Sequence, residues 1–194
     1  TKEIAVEDGD KKIRVLPYQG LKITYEIDFD HDYIRRQSYT IELSPTKFVD
    51  EIASARTFGF MEEVEKLKQN GLALGGSLEN AIVVAREGVL NRDGLRFSDE
   101  FVRHKILDLL GDLTLLGCPL HGHVIAAKTG HSQHLKLMQA IAAQPECWEF
   151  VKFERNGDGK HLKKVAASTK TAGNRILPFL VPSSPSLTGK SCPA

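Results

Sequence analysis

Three short runs of strict alternation near the N-terminus constrain this chain most. Ile4 and Val6, then Ile13 and Val15, then Leu21, Ile23, Tyr25 and Ile27 put an apolar side chain on every second residue. That period lays them on one face of pleated strands and leaves the residues between them on the other. Asp8-Gly9-Asp10 and Tyr18-Gln19-Gly20 separate the runs as turns. The pattern predicts a three-stranded antiparallel meander, closed by Asp28-Phe29-Asp30-His31 and resumed as a strand from Tyr39 to Leu43. A sheet with one apolar face needs a second layer to cover it.

Helices supply that layer. Ser44-Pro45 reads as an N-cap followed by proline at the first helical position, opening a helix with Phe48, Ile52 and Ala55 on one face. Glu62 to Gln69 is helix-forming and stops at Asn70-Gly71; Leu74-Gly75-Gly76-Ser77 and the β-rich run Ala81 to Ala85 follow. With Thr57 to Phe60 in front, this stretch reads as a small βαβ insertion over about residues 57–85. Ser98 is expected to cap the longest helix, Asp99 to Leu116, which Gly117 ends. A short buried strand is expected at Val124 to Ala127, and a turn at Thr129-Gly130. A second long helix follows from Ser132 to Ala143, with Leu135, Met138, Ile141 and Ala142 as its apolar positions, and then a last strand from Trp148 to Phe153. The fold class is α+β: a two-layer sandwich of a mainly antiparallel sheet with helices, plus the βαβ insertion, in one domain over residues 1–167. Residues 168–194 are rich in Pro and Ser and read as a flexible tail whose one apolar island, Ile176, Leu177, Phe179, Leu180 and Val181, could dock on the body.

Charge and composition exclude several classes of function. Lys and Arg number 26 against 25 Asp and Glu, a formal net charge of +1, so there is no general pull toward nucleic acid or an anionic membrane. Any anionic ligand must be met by locally placed lysines. The apolar stretches fall short of the ~20 residues that span a bilayer, and Thr-Lys-Glu-Ile at the start shows no signal-peptide pattern. Cys118, Cys147 and Cys192 are an odd count without a Cys-x-x-Cys pair, which suggests neither a disulfide framework nor a cysteine zinc site. A cytoplasmic protein is expected.

Chemistry gathers on the longest helix. His104 and Asp108, at i and i+4, lie about 40° apart around the axis and can share one ion. Val102, Ile106, Leu109, Leu113 and Leu116 form a dry face, while His104, Lys105, Asp108 and Asp112 cluster opposite, an arrangement that a merely solvated face would also produce. His131 follows Lys128-Thr129-Gly130 at a strand-to-helix turn, where loops present catalytic side chains or where a histidine simply bonds the helix end. On spacing alone, His104, Asp108 and His131 would supply the three ligands of a catalytic zinc, with Asp112 as an orienting carboxylate and Lys105 as a phosphate or oxyanion partner. His121 and His123 read as surface residues of a strand, and His134 and His161 as solvated. Gly75-Gly76 lacks a following Gly-Lys-Ser/Thr and reads as a turn.

Five segments together resemble, in order and spacing, the zinc-dependent UDP-3-O-acyl-N-acetylglucosamine deacetylases of lipid A biosynthesis. They are Ala55-Arg56-Thr57-Phe58-Gly59-Phe60, Gly71-Leu72-Ala73-Leu74-Gly75-Gly76-Ser77, Leu95-Arg96-Phe97, Asp99 through Asp108, and Lys128-Thr129-Gly130-His131. The resemblance runs from about Thr1 to Val165 and covers the C-terminal of that family's two similar domains, between which its active site lies. It implies that His104 and Asp108 bind zinc, while the third ligand and the glutamate general base come from the N-terminal domain, without which this chain is expected to be inactive.

The same resemblance gives His131 the role of a protonated catalytic histidine oriented by Asp112, Thr57 that of a donor to the tetrahedral intermediate, and Lys105 a place near the phosphates. Phe29 would stack on uracil, with Phe58, Lys11, Glu63 and Lys128 as further substrate contacts; the residue at Glu63 is Asp in the family pattern. Val64, Ala73, Gly76, Ala81 and Val83 would line the acyl passage. The implied reaction is hydrolysis of the N-acetyl group of a UDP-linked acyl glucosamine. The rival reading is a non-catalytic homologue that binds a nucleotide-sugar or an acyl chain.

Overall fold

The computed structural model describes residues 2–71, 74–155, 162–166 and 179–182. Its main sheet contains β1 (Ile4–Asp8), β2 (Lys11–Leu16), β3 (Leu21–Ile27), β4 (Gln37–Glu42) and β8 (Gly122–Ala127) in the order β1-β2-β8-β3-β4. Alternation carries through: Ile13 and Val15 of β2, Ile23, Tyr25 and Ile27 of β3, and Val124 and Ala126 of β8 are all buried on one face. The meander is corrected in one respect. β2 and β3 do not pair, because β8 lies between them, antiparallel to β2 and parallel to β3. Alternation fixes which face of a strand is buried but does not name its neighbour.

The helical layer is α3 (Glu100–Leu113), extended by a 3-10 turn to Leu116, and α4 (His131–Ala143), which pack on that face and on each other. Val102, Ile106, Leu109 and Leu113 of α3 are buried, as the periodicity requires. Each such side chain contributes about 1.5–3 kcal/mol of burial. Gly117 ends the helix in the left-handed conformation, φ +71°. Asp99 rather than Ser98 stands at its N-cap. On α4 the buried positions are Leu137, Met138 and Ile141, whereas Leu135 is 47% exposed, so the apolar face is rotated from the expected one.

Ser44 caps α1 (Pro45–Lys47), its hydroxyl accepting from the Lys47 N–H at 3.2 Å, and a π turn over Phe48–Ile52 buries Ile52. β5 (Thr57–Phe60), α2 (Met61–Gln69) and β6 (Ala81–Ala85) form the expected βαβ unit, with β5 and β6 parallel, and β7 (Gly88–Val89) adds an antiparallel edge. β9 (Trp148–Arg155) is not the last strand: β10 (Leu162–Ala166) and β11 (Phe179–Pro182) pair with its two sides. Phe179, Leu180 and Val181 of the apolar island thus belong to β11, while Ile176 and Leu177 lie outside the described residues. Ala73 and His161 lie outside the described residues. Among the described residues no helix is long and apolar enough to cross a membrane.

Candidate active site

The chemical face of α3 is set by what its first turn buries. Glu100 is fully buried and takes the Arg56 N–H at 3.0 Å, the Arg56 Nε at 2.9 Å and the Arg96 N–H at 2.6 Å. Burial alone would raise this carboxyl; the hydrogen bonds of Arg56 and Arg96 and the Arg56 charge outweigh it and hold it below its ordinary value. The pair clamps the start of α3 to the Ala55-Arg56-Thr57 segment. One turn later, His104 Nδ1 lies 3.2 Å from the Ala55 carbonyl, an acceptor that fixes the ring with Nε2 turned toward Asp108. That Nε2 is 3.2 Å from Asp108 Oδ1, while Lys105 Nζ donates to Asp108 Oδ2 at 2.9 Å. Burial opposes the charge of Asp108, but the bonds from His104 and Lys105 prevail and hold its carboxyl well below the usual range.

The turn from β8 to α4 brings the second half of the constellation. Lys128 adopts the left-handed conformation, φ +57°, costly for a residue with a β-carbon. Its N–H donates to the Glu26 carbonyl at 2.9 Å, and its ammonium reaches Asp28 at 2.9 Å and Asp10 at 3.4 Å. The chain can then turn through Thr129 and Gly130 into α4. His131, the first residue of that helix, sets Nδ1 2.7 Å from Asp112 Oδ2 and Nε2 3.9 Å from Asp108 Oδ2. His131 therefore faces the His104–Asp108 pair from the neighbouring helix, with its far nitrogen engaged by Asp112.

A cleft of about 560 Å³ opens over these residues, lined among others by Lys11, Phe29, Thr57, Phe58, Glu63, His104, Lys105, Asp108 and Lys128. Phe58 packs edge-on against Phe29, Phe101 and His104, with ring centroids 5.7, 5.0 and 6.3 Å apart. It joins the floor of the cleft to the core. Of the residues assigned to an acyl passage, Ala81 and Val83 lie on β6, paired with Thr57 and Gly59 of β5. Val64 approaches so closely that a β-carbon on Gly59 would stand 3.2 Å from its Cγ2. Gly76 sits on the exposed loop that follows α2.

Within the described residues, one grouping of three ligand types stands close enough to hold an ion by itself: Asp112, His131 and His134, with ligand atoms within 4.8 Å of one another. Hydrogen bonds account for that proximity, because both imidazoles lie 2.7 Å from the same Asp112 oxygen. His104 and Asp108 face each other with two atoms of metal-ligand type, an imidazole Nε2 and a carboxylate kept ionised, 3.2 Å apart. His134 is the residue missed by sequence reasoning. It is 1% exposed rather than solvated. Its spacing to Leu137, Met138 and Ile141 is the signal that places it on the buried stripe.

The family model of the UDP-3-O-acyl N-acetylglycosamine deacetylases matches residues 1–143. The chain belongs to that family. It is similar to the UDP-3-O-acyl-N-acetylglucosamine deacetylases of Pseudomonas entomophila, 52% identical over 155 residues, and Myxococcus xanthus, 51% identical over 154 residues. That of Marinobacter nauticus is 50% identical over 155 residues. Each match covers 79% of this chain and 49–51% of the relative. The chain thus spans about half the length of the curated relatives it matches. In this deacetylase-family chain, the family match takes in α3, the β8–α4 turn and the βαβ unit, and so all the residues that line the cleft.

Proposed function

We propose that this chain is the C-terminal, substrate-binding half of a zinc-dependent deacetylase that removes the N-acetyl group of UDP-3-O-acyl-N-acetylglucosamine, the committed step of lipid A biosynthesis. The observation that carries the reading is the meeting of two pairs: His104–Asp108 on α3, which lines the cleft, and His131–Asp112 beside it, with His131 Nε2 3.9 Å from Asp108 Oδ2. His104 and Asp108 would hold zinc, which when bound lowers the pKa of a water and polarises the acetyl carbonyl. The third ligand and the general base are assigned to the N-terminal half. The reaction is assigned to the cytoplasm.

The chain's own residues do the rest. His131, held at Nδ1 by Asp112, presents Nε2 to the reacting carbonyl, where as an imidazolium it stabilises the oxyanion and then protonates the departing amine. Thr57, exposed at the mouth of β5, adds a hydroxyl donor to the same oxygen. Lys105, Lys11 and Lys128 supply the local positive charge that a nearly neutral chain needs for a diphosphate. Phe29, backed edge-on by Phe58 and Phe60, offers a ring for uracil, and Glu63 a polar contact. Val64, Gly76, Ala81 and Val83 of the insertion are assigned to the acyl passage. The test is acetate release from UDP-3-O-acyl-N-acetylglucosamine by this chain combined with the N-terminal half of the Pseudomonas relative and zinc. Release that needs both halves is expected. Binding of the substrate without release would favour the non-catalytic rival.

A further inference from the structure

Two histidines of α4 share one oxygen. Asp112 Oδ2 lies 2.7 Å from Nδ1 of His131 and 2.7 Å from Nδ1 of His134, yet the two side chains live in opposite surroundings, 67% and 0% exposed. His131, standing in solvent, has little packing to fix its ring, so its orientation rests on Asp112. Asp112 in turn is half-buried on α3 and can rotate unless something below holds it. Resting on the deacetylase reading, we infer that His134 is a positioning residue: from inside the core it fixes the Asp112 carboxylate in the orientation that aligns His131.

Proton counting supports this. An ionised carboxylate only accepts, so each imidazole must present Nδ1–H to Oδ2. The other nitrogen of His134, Nε2, must then accept, and two hydroxyl oxygens lie beside it, Tyr25 Oη at 3.1 Å and Thr129 Oγ1 at 3.4 Å. The proton it can take is that of Thr129 Oγ1, because Tyr25 gives its own to the Thr129 carbonyl. Both are tied into the turn: Tyr25 Oη donates to the Thr129 carbonyl at 2.8 Å, and Thr129 Oγ1 shares its proton between Tyr25 Oη, 2.9 Å away, and Nε2. The ring is thereby held at both nitrogens in one tautomer. The charged and titratable groups around it are Asp112 and Lys105 of α3, His131 of its own helix and Tyr25 of β3; burial, against the bond to Asp112, keeps the ring neutral. A neutral donor orients the carboxylate without cancelling the charge that His131 uses. The chain of contacts runs from the core strand β3 through His134 and Asp112 to the reacting edge of His131.

The experiment compares His134→Asn, whose amide N–H stands where Nδ1–H does, with His134→Gln, whose amide reaches the Nε2 position instead. Nitrogen NMR of the 194-residue chain reads which ring nitrogens carry protons and whether the His131 Nδ1 proton is protected from exchange. Wild type should show His134 as the Nδ1–H tautomer and a protected His131 proton, which His134→Asn keeps and His134→Gln loses. In the assembled enzyme His134→Gln should lower kcat about 10-fold or more with KM changed less than about 2-fold, and His134→Asn should restore most of the loss. An Nε2–H tautomer in the wild-type chain overturns the inference, whether or not either variant folds. So does equal impairment of both variants, which would mean packing alone, or wild-type kcat in His134→Gln. Spectra that follow the expected pattern beside an assembled protein that releases no acetate would support the positioning of Asp112 and overturn the deacetylase reading instead.

Discussion

At the scale of single residues, the account turns on His131. Its Nε2 points toward the His104–Asp108 pair and its Nδ1 is held by Asp112, which is how a histidine that donates to a developing oxyanion must be placed. His131→Ala should therefore reduce kcat by about 10²–10³-fold in the assembled enzyme while KM changes little, as for loss of a donor used only in the transition state. An unchanged kcat would remove His131 from the chemistry. Residue identity in the sequence was enough to single out His104, Lys105, Asp108, Asp112 and His131, because their types and helical spacing are local. It misplaced His134 among solvated residues. A histidine's burial depends on Tyr25 and Thr129, and Tyr25 lies 109 positions away in the chain.

At the scale of elements, the start of α3 depends on the buried Arg56–Glu100 pair. Removing one partner of such a pair leaves an uncompensated charge, so Glu100→Gln should cost about 3–5 kcal/mol, read as a lowered midpoint in denaturant unfolding. The Glu100 carboxyl is held below its unfolded value, so its contribution is full above the unfolded pKa of about 4.3 and is lost as pH falls through the lower folded value. Wild type should lose stability on acidification in that window, and Glu100→Gln should lose less of it; equal slopes would mean that the pair is not coupled to folding. Helix α3 was legible because Val102, Ile106, Leu109 and Leu113 repeat at one phase. Helix α4 was read half correctly: Met138 and Ile141 are buried as expected, but Leu137 takes the place of Leu135, since both continue an apolar stripe and only the packed sheet chooses between them. The βαβ unit was legible from its turn residues, whereas the place of β8 between β2 and β3 was not, because pairing partners leave no mark on alternation. The Arg56–Glu100 clamp joins residues 44 positions apart and carries no local signature.

At the scale of the whole molecule, the small sheet of β9, β10 and β11 shares no strand with the main sheet, and Trp148 at the start of β9 is tied to α4 by its Nε1 donating to the Ile141 carbonyl at 2.7 Å. Truncation after residue 170 removes β11, so amide exchange should accelerate in β9 at Trp148 to Val151 and stay unchanged in β3 and β8. Acceleration throughout would make the C-terminal strand part of the core. The cleft lies where the main sheet, the βαβ unit and the first turn of α4 converge, which is why residues from Asp10 to Gln133 share it. The central claim is that His104 and Asp108 hold the metal while His131 does not. Zinc titration of the 194-residue chain, followed calorimetrically for wild type, His104→Ala and His131→Ala, tests it most directly. The account predicts zinc binding that is lost in His104→Ala and retained in His131→Ala. Binding that survives in His104→Ala and vanishes in His131→Ala would place the ion on Asp112, His131 and His134 and contradict it.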